Sequence, residues 1–107
     1  MAKVLNEKYG LKVTDVHVFI VDKKGNNESG ILAIAEVEFN NVLMVGSLRL
    51  FKSIDGLYYF NFPRNPQSKR NRSYSFIKDE AAREEVLAEI VSEYSRELRN
   101  SHEPAKA

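Results

Sequence analysis

Four segments rich in β-branched and aromatic residues, separated by turn-forming residues, constrain the fold of this chain more than any other feature. They cover Leu11–Asp22, Ile31–Phe39, Val42–Lys52 and Leu57–Phe62. Asn40-Asn41 and Asp55-Gly56 suit tight hairpins, and residues 23–30 contain further glycines and asparagines. This order predicts a four-stranded antiparallel meander.

Within each of these segments, apolar residues occur at both odd and even positions. Because successive side chains of a strand point to opposite faces, both faces of the sheet are predicted to be partly apolar. On the third segment, alternation places Met44, Leu48 and Leu50 on one face and Val45, Arg49 and Phe51 on the other. In the second and fourth segments, the apolar residues that sit beside apolar residues of the other face are Leu32, Ile34, Tyr58, Phe60 and Phe62. Monomers seldom expose an apolar patch beyond roughly a few hundred Å². We therefore expect a homodimer, formed by sheet-edge pairing or by face packing.

A single amphipathic helix is predicted over Asp79–Arg99. Its apolar residues recur at helical spacing: Ala82, Val86, Leu87, Ile90, Val91, Tyr94 and Leu98. The helix should pack on one face of the sheet, which gives an α+β fold. Residues 73–77 are a candidate for a short fifth edge strand, so the sheet is expected to have four to five strands.

The 107 residues are enough for one domain. We expect an N-terminal arm over residues 1–10, frayed rather than helical, a single domain over residues 11–99 and a disordered tail over residues 100–107. No apolar run approaches the roughly 20 residues of a membrane span, and the first ten residues do not resemble a signal peptide. No contact with a membrane is expected.

A basic segment follows the fourth predicted strand, because Pro63 ends the strand and residues 64–78 carry five basic residues and no acidic one. The candidate nucleic-acid-binding residues are Arg64, Lys69, Arg70, Arg72 and Lys78. These cations can contact phosphates, and Tyr74 and Phe76 could stack on unpaired bases. On composition alone, a solvated loop that limits aggregation is the simpler interpretation.

Catalytic and metal-binding patterns are weak in this sequence. There is no cysteine, there are only two histidines, and there is no glycine-rich phosphate loop. Asp15 and His17 share a strand face and could form an acid–base pair, but a surface polar pair is the simpler interpretation. Glu36 and Glu38 lack further oxygen donors for a cation. We expect no enzymatic activity, no catalytic residue, no cofactor, no metal and no small-molecule substrate.

The predicted helix carries a row of glutamates at a spacing of four: Glu85, Glu89, Glu93 and Glu97. Such a row is usually a solvated acidic face. As an alternative function, it could be the contact surface of a protein-interaction adaptor.

Several short stretches, in this order and spacing, resemble one protein family. They are Val13-Thr14-Asp15-Val16, the strand from Ile31 to Ala35, Arg49, Gly56-Leu57, an aromatic strand ending at Pro63, and Val86-Leu87-Ala88-Glu89 followed by Tyr94. Over about Leu11–Tyr94 the chain resembles the SpoVG (stage V sporulation protein G, septation protein) family.

The resemblance implies a small, cytoplasmic, non-enzymatic bacterial protein that forms homodimers and binds DNA and RNA as a site-specific regulator. It links the chain to sporulation, septation and the expression of surface or virulence factors. The family's usual Pro-Ser-Lys-Arg is here Pro63-Arg64-Asn65-Pro66, and Ser68-Lys69-Arg70 follows several residues later. His17 stands where an arginine is common, the fourth strand is one residue longer, and the first ten residues are unlike the family's short start. Which basic residues act is therefore left open.

Overall fold

The computed structural model describes residues 4–21, 30–67, 69 and 75–102. Four antiparallel strands form one sheet in the order β1-β2-β3-β4, and one C-terminal helix, α1, follows. The bounds are β1 Val13–Ile20, β2 Ile31–Phe39, β3 Leu43–Lys52, β4 Tyr58–Asn61 and α1 Glu80–His102. The predicted α+β meander is confirmed. Of the candidate fifth strand, residues 75–77 lie outside any strand, and residues 73 and 74 lie outside the described part.

Both predicted hairpins form where the turn residues indicated. Asn40 and Asn41 adopt φ angles of 54° and 57°, the left-handed conformation that asparagine tolerates, and the Val42 amide donates to the Phe39 carbonyl at 3.0 Å. In the second hairpin Gly56 has a φ of 85°, and the Ser53 amide donates to the Leu57 carbonyl at 2.8 Å. These short connections fix the order of the strands because they leave no room for a crossover.

The apolar stripe of α1 packs on one face of the sheet, as predicted. Its buried members are Ala82, Val86, Ile90 and Tyr94, and they share one core with Ala33, Ala35, Val37, Leu48, Leu50 and Phe60. Asp79 precedes the first turn, and its Oδ1 accepts a hydrogen bond from the Ala82 amide at 3.2 Å, which caps the helix. The helix continues to His102, beyond the predicted end at Arg99, into residues for which a tail was expected.

The N-terminal segment differs from the frayed arm that the sequence favours. Val4–Lys8 form a π-helical turn, and Leu5 is only 2% exposed. The carboxylate of Glu85 accepts hydrogen bonds from the amides of Val4 at 2.6 Å and Leu5 at 3.0 Å. A buried leucine and an acceptor for two free N–H groups explain why this segment is docked.

A β-bulge in β3 corrects one of the predicted faces. Leu48 pairs with Ala35, but the next recorded pair is Val45 with Val37, so β3 holds one extra residue there. Ser47 within the bulge has a φ of 57°, which is uncommon for a residue other than glycine. One extra residue reverses the alternation of side chains. Val45 therefore lies on the helix-covered face, opposite the buried Val37, and not beside Arg49. Met44, which pairs with Glu38, lies on the other face and not beside Leu48 and Leu50 as predicted.

The second face of the sheet is turned away from α1 and the N-terminal turn. We call it the open face, and it carries Asp15, His17, Phe19, Ile34, Glu36, Glu38, Arg49, Phe51, Tyr59 and Asn61. Of the residues predicted to make both faces apolar, Tyr58 and Phe60 instead belong to the helix-covered core, where Tyr58 contacts Tyr94. Within the described ranges, no helix has the length and apolar character needed to cross a membrane.

Candidate nucleic-acid interface

The basic segment begins directly at the end of the sheet. β4 ends at Asn61, and after Pro63 the exposed Arg64 makes an isolated β-bridge. Asn65 then accepts a hydrogen bond on its Oδ1 from the Gln67 amide at 3.0 Å, which is the contact of an Asx turn. The sequence thus presents its first candidate cation on ordered backbone, with the side chain in solvent.

The other candidate cations are only partly placed. Lys69 and Lys78 are exposed, and Lys78 stands next to Asp79, the residue that caps α1. Arg70 and Arg72 lie outside the described residues, as does Tyr74. Phe76, the second candidate for stacking, is 54% exposed. Three of the five predicted phosphate contacts are therefore accessible to an anion.

A wide apolar groove lies between the two ends of the basic segment. It has a volume of about 930 Å³ and is lined chiefly by apolar residues, among them Leu43, Val45, Phe62 and Phe76. Pro63, which precedes Arg64, and Lys78 also line this groove. The groove thus extends from Pro63, next to Arg64, to Lys78, and its residues Leu43 and Phe76 are largely exposed.

The N-terminal turn closes one side of this groove through a polar cluster at Asp79. The Tyr9 hydroxyl donates to Asp79 Oδ2 at 2.6 Å, and Lys8 Nζ lies 3.3 Å from the same oxygen. The hydrogen bond from Tyr9, with that from the Ala82 amide, lowers the pKa of Asp79 to about 2. The contact with Asp79 raises the pKa of Lys8. The carboxylate of Asp79 is thus paired with Lys8 and hydrogen-bonded to Tyr9, and not paired with Lys78.

Asp15 and His17 form a close pair on the open face. His17 Nε2 lies 3.0 Å from Asp15 Oδ2, and both side chains are about half exposed, at 50% and 51%. Glu36 is the cross-strand neighbour of His17. In the described part of the chain, no cluster of three or more His, Asp or Glu side chains is placed to hold a metal ion. The geometry is that of a surface polar pair beside further carboxylates.

The acidic row of α1 is not the freely solvated surface that its spacing indicates. Glu85 is tied to the N-terminal turn, and Glu93 lies 3.8 Å from Arg96. Glu89 and Glu93 line a small polar cleft against the start of β1. The four glutamates are half-buried, so part of this row serves the fold rather than a partner.

Two features of the surface were missed from the sequence. The groove combines residues from the N-terminal turn, the β2–β3 hairpin and the segment before α1, which no local pattern connects. The stacked aromatic pair of the open face, Phe51 and Tyr59, depends on cross-strand register. In the sequence, the only indication of the groove was the presence of apolar residues beside turns, such as Leu43.

A scan against models of protein families finds no match, and a search of curated proteins finds none either.

Proposed function

We propose that this chain is a dimeric nucleic-acid-binding regulatory protein that uses its basic segment to contact phosphates. The observation that carries the proposal is the exposure of Arg64, Lys69 and Lys78 within a stretch free of acidic residues. Exposed cations gain affinity for nucleic acid by releasing counterions from the phosphate backbone. Arg70 and Arg72 belong to the proposed contact set on sequence grounds.

The dimer is proposed to form over the apolar groove. Leu43 and Phe76 are large apolar side chains that a monomer would leave in water. A second copy seated there would remove this surface from water and would bring a second basic segment alongside the first. Doubling the cations converts a modest electrostatic footprint into one that can bind a duplex or a single strand.

The biological setting is proposed from the resemblance to the SpoVG family alone. On that ground we propose a cytoplasmic regulator of gene expression that acts in sporulation or septation, without catalytic activity or a cofactor. The adaptor alternative, with the acidic row of α1 as its contact surface, is less favoured because Glu85 already binds the amides of Val4 and Leu5.

A gel-shift titration with duplex DNA, single-stranded DNA and RNA at two salt concentrations tests the proposal. A dimer presents eight charges from Arg64, Lys69, Arg70 and Arg72. If about half of them contact phosphates, log affinity should fall with log salt at a slope of roughly −3 to −4. The triple variant Lys69→Glu, Arg70→Glu, Arg72→Glu should abolish binding.

A control variant reverses two exposed cations elsewhere, Lys12→Glu and Arg99→Glu. It should bind nearly as well as the parent, and both variants should keep the parent's melting temperature to within a few degrees, since exposed charges contribute little to stability. If the triple variant bound like the parent, the basic segment would serve only to keep the protein soluble. The alternative function, a protein-interaction adaptor, would then be favoured.

A further inference from the structure

The open face carries a row of side chains that crosses all four strands. Phe19 on β1 is paired with Ile34 on β2, Ile34 with Arg49 on β3, and Arg49 with Asn61 on β4. Cross-strand neighbours lie about 4.8 Å apart along the sheet, so the row is roughly 15 Å wide. It places an aromatic ring, an aliphatic side chain, a guanidinium and an amide side by side on a surface that α1 does not cover.

A stacked aromatic pair lies next to this row. The rings of Phe51 on β3 and Tyr59 on β4 have centroids 5.1 Å apart and are inclined by only 11°. Since β4 is the edge strand, the face of Tyr59 that is turned away from Phe51 points off the sheet. Tyr59 is 42% exposed, so a further planar ring can continue the stack from this side.

The exposed groups of this region suit a nucleobase. Phe19 is 57% exposed, which leaves its ring available as a second stacking surface. Arg49 is exposed and has no ion-pair partner among the residues that the structure describes. Asn61 is exposed beside it and offers both a donor and an acceptor. Arginine and aromatic rings that stack on bases, with an amide that bonds their edges, are the elements of single-strand recognition.

The opposite end of the open face limits where phosphates can lie. Asp15, Glu36 and Glu38 are grouped at the start of β1 and the end of β2, two or more residues from Phe19 along the strands. Their carboxylates repel a phosphate backbone. A bound strand must therefore pass over the end of the face that holds Phe19, Arg49 and Tyr59, where Arg49 is the ionised group of the row.

We propose that this end of the open face, formed by Phe19, Arg49, Phe51, Tyr59 and Asn61, is a platform that stacks the unpaired bases of single-stranded nucleic acid. The inference rests on the proposed nucleic-acid binding. It adds that the bound nucleic acid is single-stranded and that the protein has a second contact surface for it. Continuity supports it, because the chain leads from Tyr59 past the end of β4 at Asn61 to Arg64; this path runs along the edge strand, two strands away from Glu36 and Glu38 and three away from Asp15. Five residues of extended chain span about 17 Å, so bases on the platform and phosphates at Arg64 can belong to one strand.

The test compares oligothymidylate and oligouridylate with a mixed-sequence DNA duplex, using the full chain. Tyr59→Leu and Phe19→Leu remove a ring while leaving an apolar side chain. Each should weaken binding of the single-stranded probes by about fivefold to a hundredfold, without changing the salt slope, because stacking is not electrostatic. Duplex binding should remain that of the parent. Arg49→Gln should reduce the magnitude of the single-strand salt slope by about 1.

Two control variants distinguish the loss of a platform residue from the loss of any exposed apolar side chain or any exposed charge. Ile54→Ala removes an exposed apolar side chain from the β3–β4 turn, and Lys12→Gln removes an exposed cation at the start of β1, away from Phe19 at its other end. Both should bind single strands like the parent. Phe19 has no ring partner among the recorded aromatic contacts of the described residues, so Phe19→Leu keeps the test decisive should Tyr59→Leu fail to fold.

Parent-like single-strand binding by folded Phe19→Leu and Tyr59→Leu would overturn the platform and leave the proposed function standing. If the reversal of Lys69, Arg70 and Arg72 left all binding intact, the proposed function itself would fail. Conversion of the protein from dimer to monomer by Phe19→Leu in sedimentation would also overturn the platform, because the open face would then be an interface between copies.

Discussion

The Tyr9 hydroxyl lies 2.6 Å from a carboxylate oxygen of Asp79, a residue 70 positions away in the sequence. This hydrogen bond joins the N-terminal turn to the residue that caps α1. The same carboxylate contacts Lys8 and the Ala82 amide, so one side chain connects the turn, the groove and the start of the helix.

The first prediction concerns stability in acid. Asp79 has a pKa of about 2 in the folded chain and an ordinary value of 3.8, chiefly because of the Tyr9 hydroxyl. A lowered folded pKa stabilises the fold above the ordinary value, and this stabilisation is lost as the pH falls from about 4 towards 2. Tyr9→Phe should therefore flatten the decline of the melting temperature across that window.

Tyr59→Phe is the matched control for this measurement, since it removes an exposed hydroxyl on the open face, away from Asp79. Its acid profile should follow the parent. Identical profiles for Tyr9→Phe and the parent between pH 4 and 2 would contradict the assigned role of the Tyr9–Asp79 contact.

The second prediction concerns the docking of the N-terminal turn by Glu85. Glu85→Ala removes the acceptor for the Val4 and Leu5 amides in a half-buried site. We expect a loss of roughly 1–3 kcal/mol in the free energy of unfolding and faster hydrogen exchange at these two amides. Glu84→Ala, an exposed neighbour, should change neither quantity. Unchanged exchange in the Glu85 variant would show that burial of Leu5 alone holds the turn.

The third prediction concerns the core beneath α1. Ile90 and Val86 are buried against the sheet, so truncating either to alanine leaves a cavity. The cost should be roughly 2–4 kcal/mol, with valine at the low end, measured by urea denaturation. Ser92→Ala, on the exposed side of the helix, should leave the midpoint almost unmoved. An unmoved midpoint for Ile90→Ala would mean that α1 is not docked.

The strands, hairpins and helix could be predicted from the sequence because their signals are local. Asn40-Asn41 specifies a hairpin by backbone conformation, and the stripe from Ala82 to Tyr94 specifies the buried side of α1 by spacing. The bulge in β3 was missed because the left-handed residue is Ser47 rather than a glycine, although Gly46 beside it was a signal.

The candidate site could be predicted only in part. Arg64, Lys69 and Lys78 are recognisable in the sequence because a run of one charge sign needs no knowledge of the fold. The groove was not predictable, since Leu43 and Phe76 meet only after the sheet and the N-terminal turn have assembled. The docking of Glu85 was hidden for the same reason, because its partners are backbone groups about 80 residues away.

The last prediction concerns the groove as the proposed interface between two copies. Leu43→Asp places a charge on an exposed groove residue, so it should disfavour burial against a second copy while leaving the monomer folded. The parent should sediment as a dimer at micromolar concentration, and Leu43→Asp as a monomer. Ile54→Asp, which alters a fully exposed turn residue outside the groove, should remain dimeric.

Nucleic-acid binding gives this last experiment a second measurement. A monomer carries half of the phosphate-contacting cations, so Leu43→Asp should reduce the salt slope to roughly −1.5 to −2, about half of the parent's value. A parent that sediments as a monomer would refute the dimer itself. A dimeric Leu43→Asp would move the interface away from the groove, and an unchanged salt slope in a monomeric variant would show that one basic segment suffices for binding.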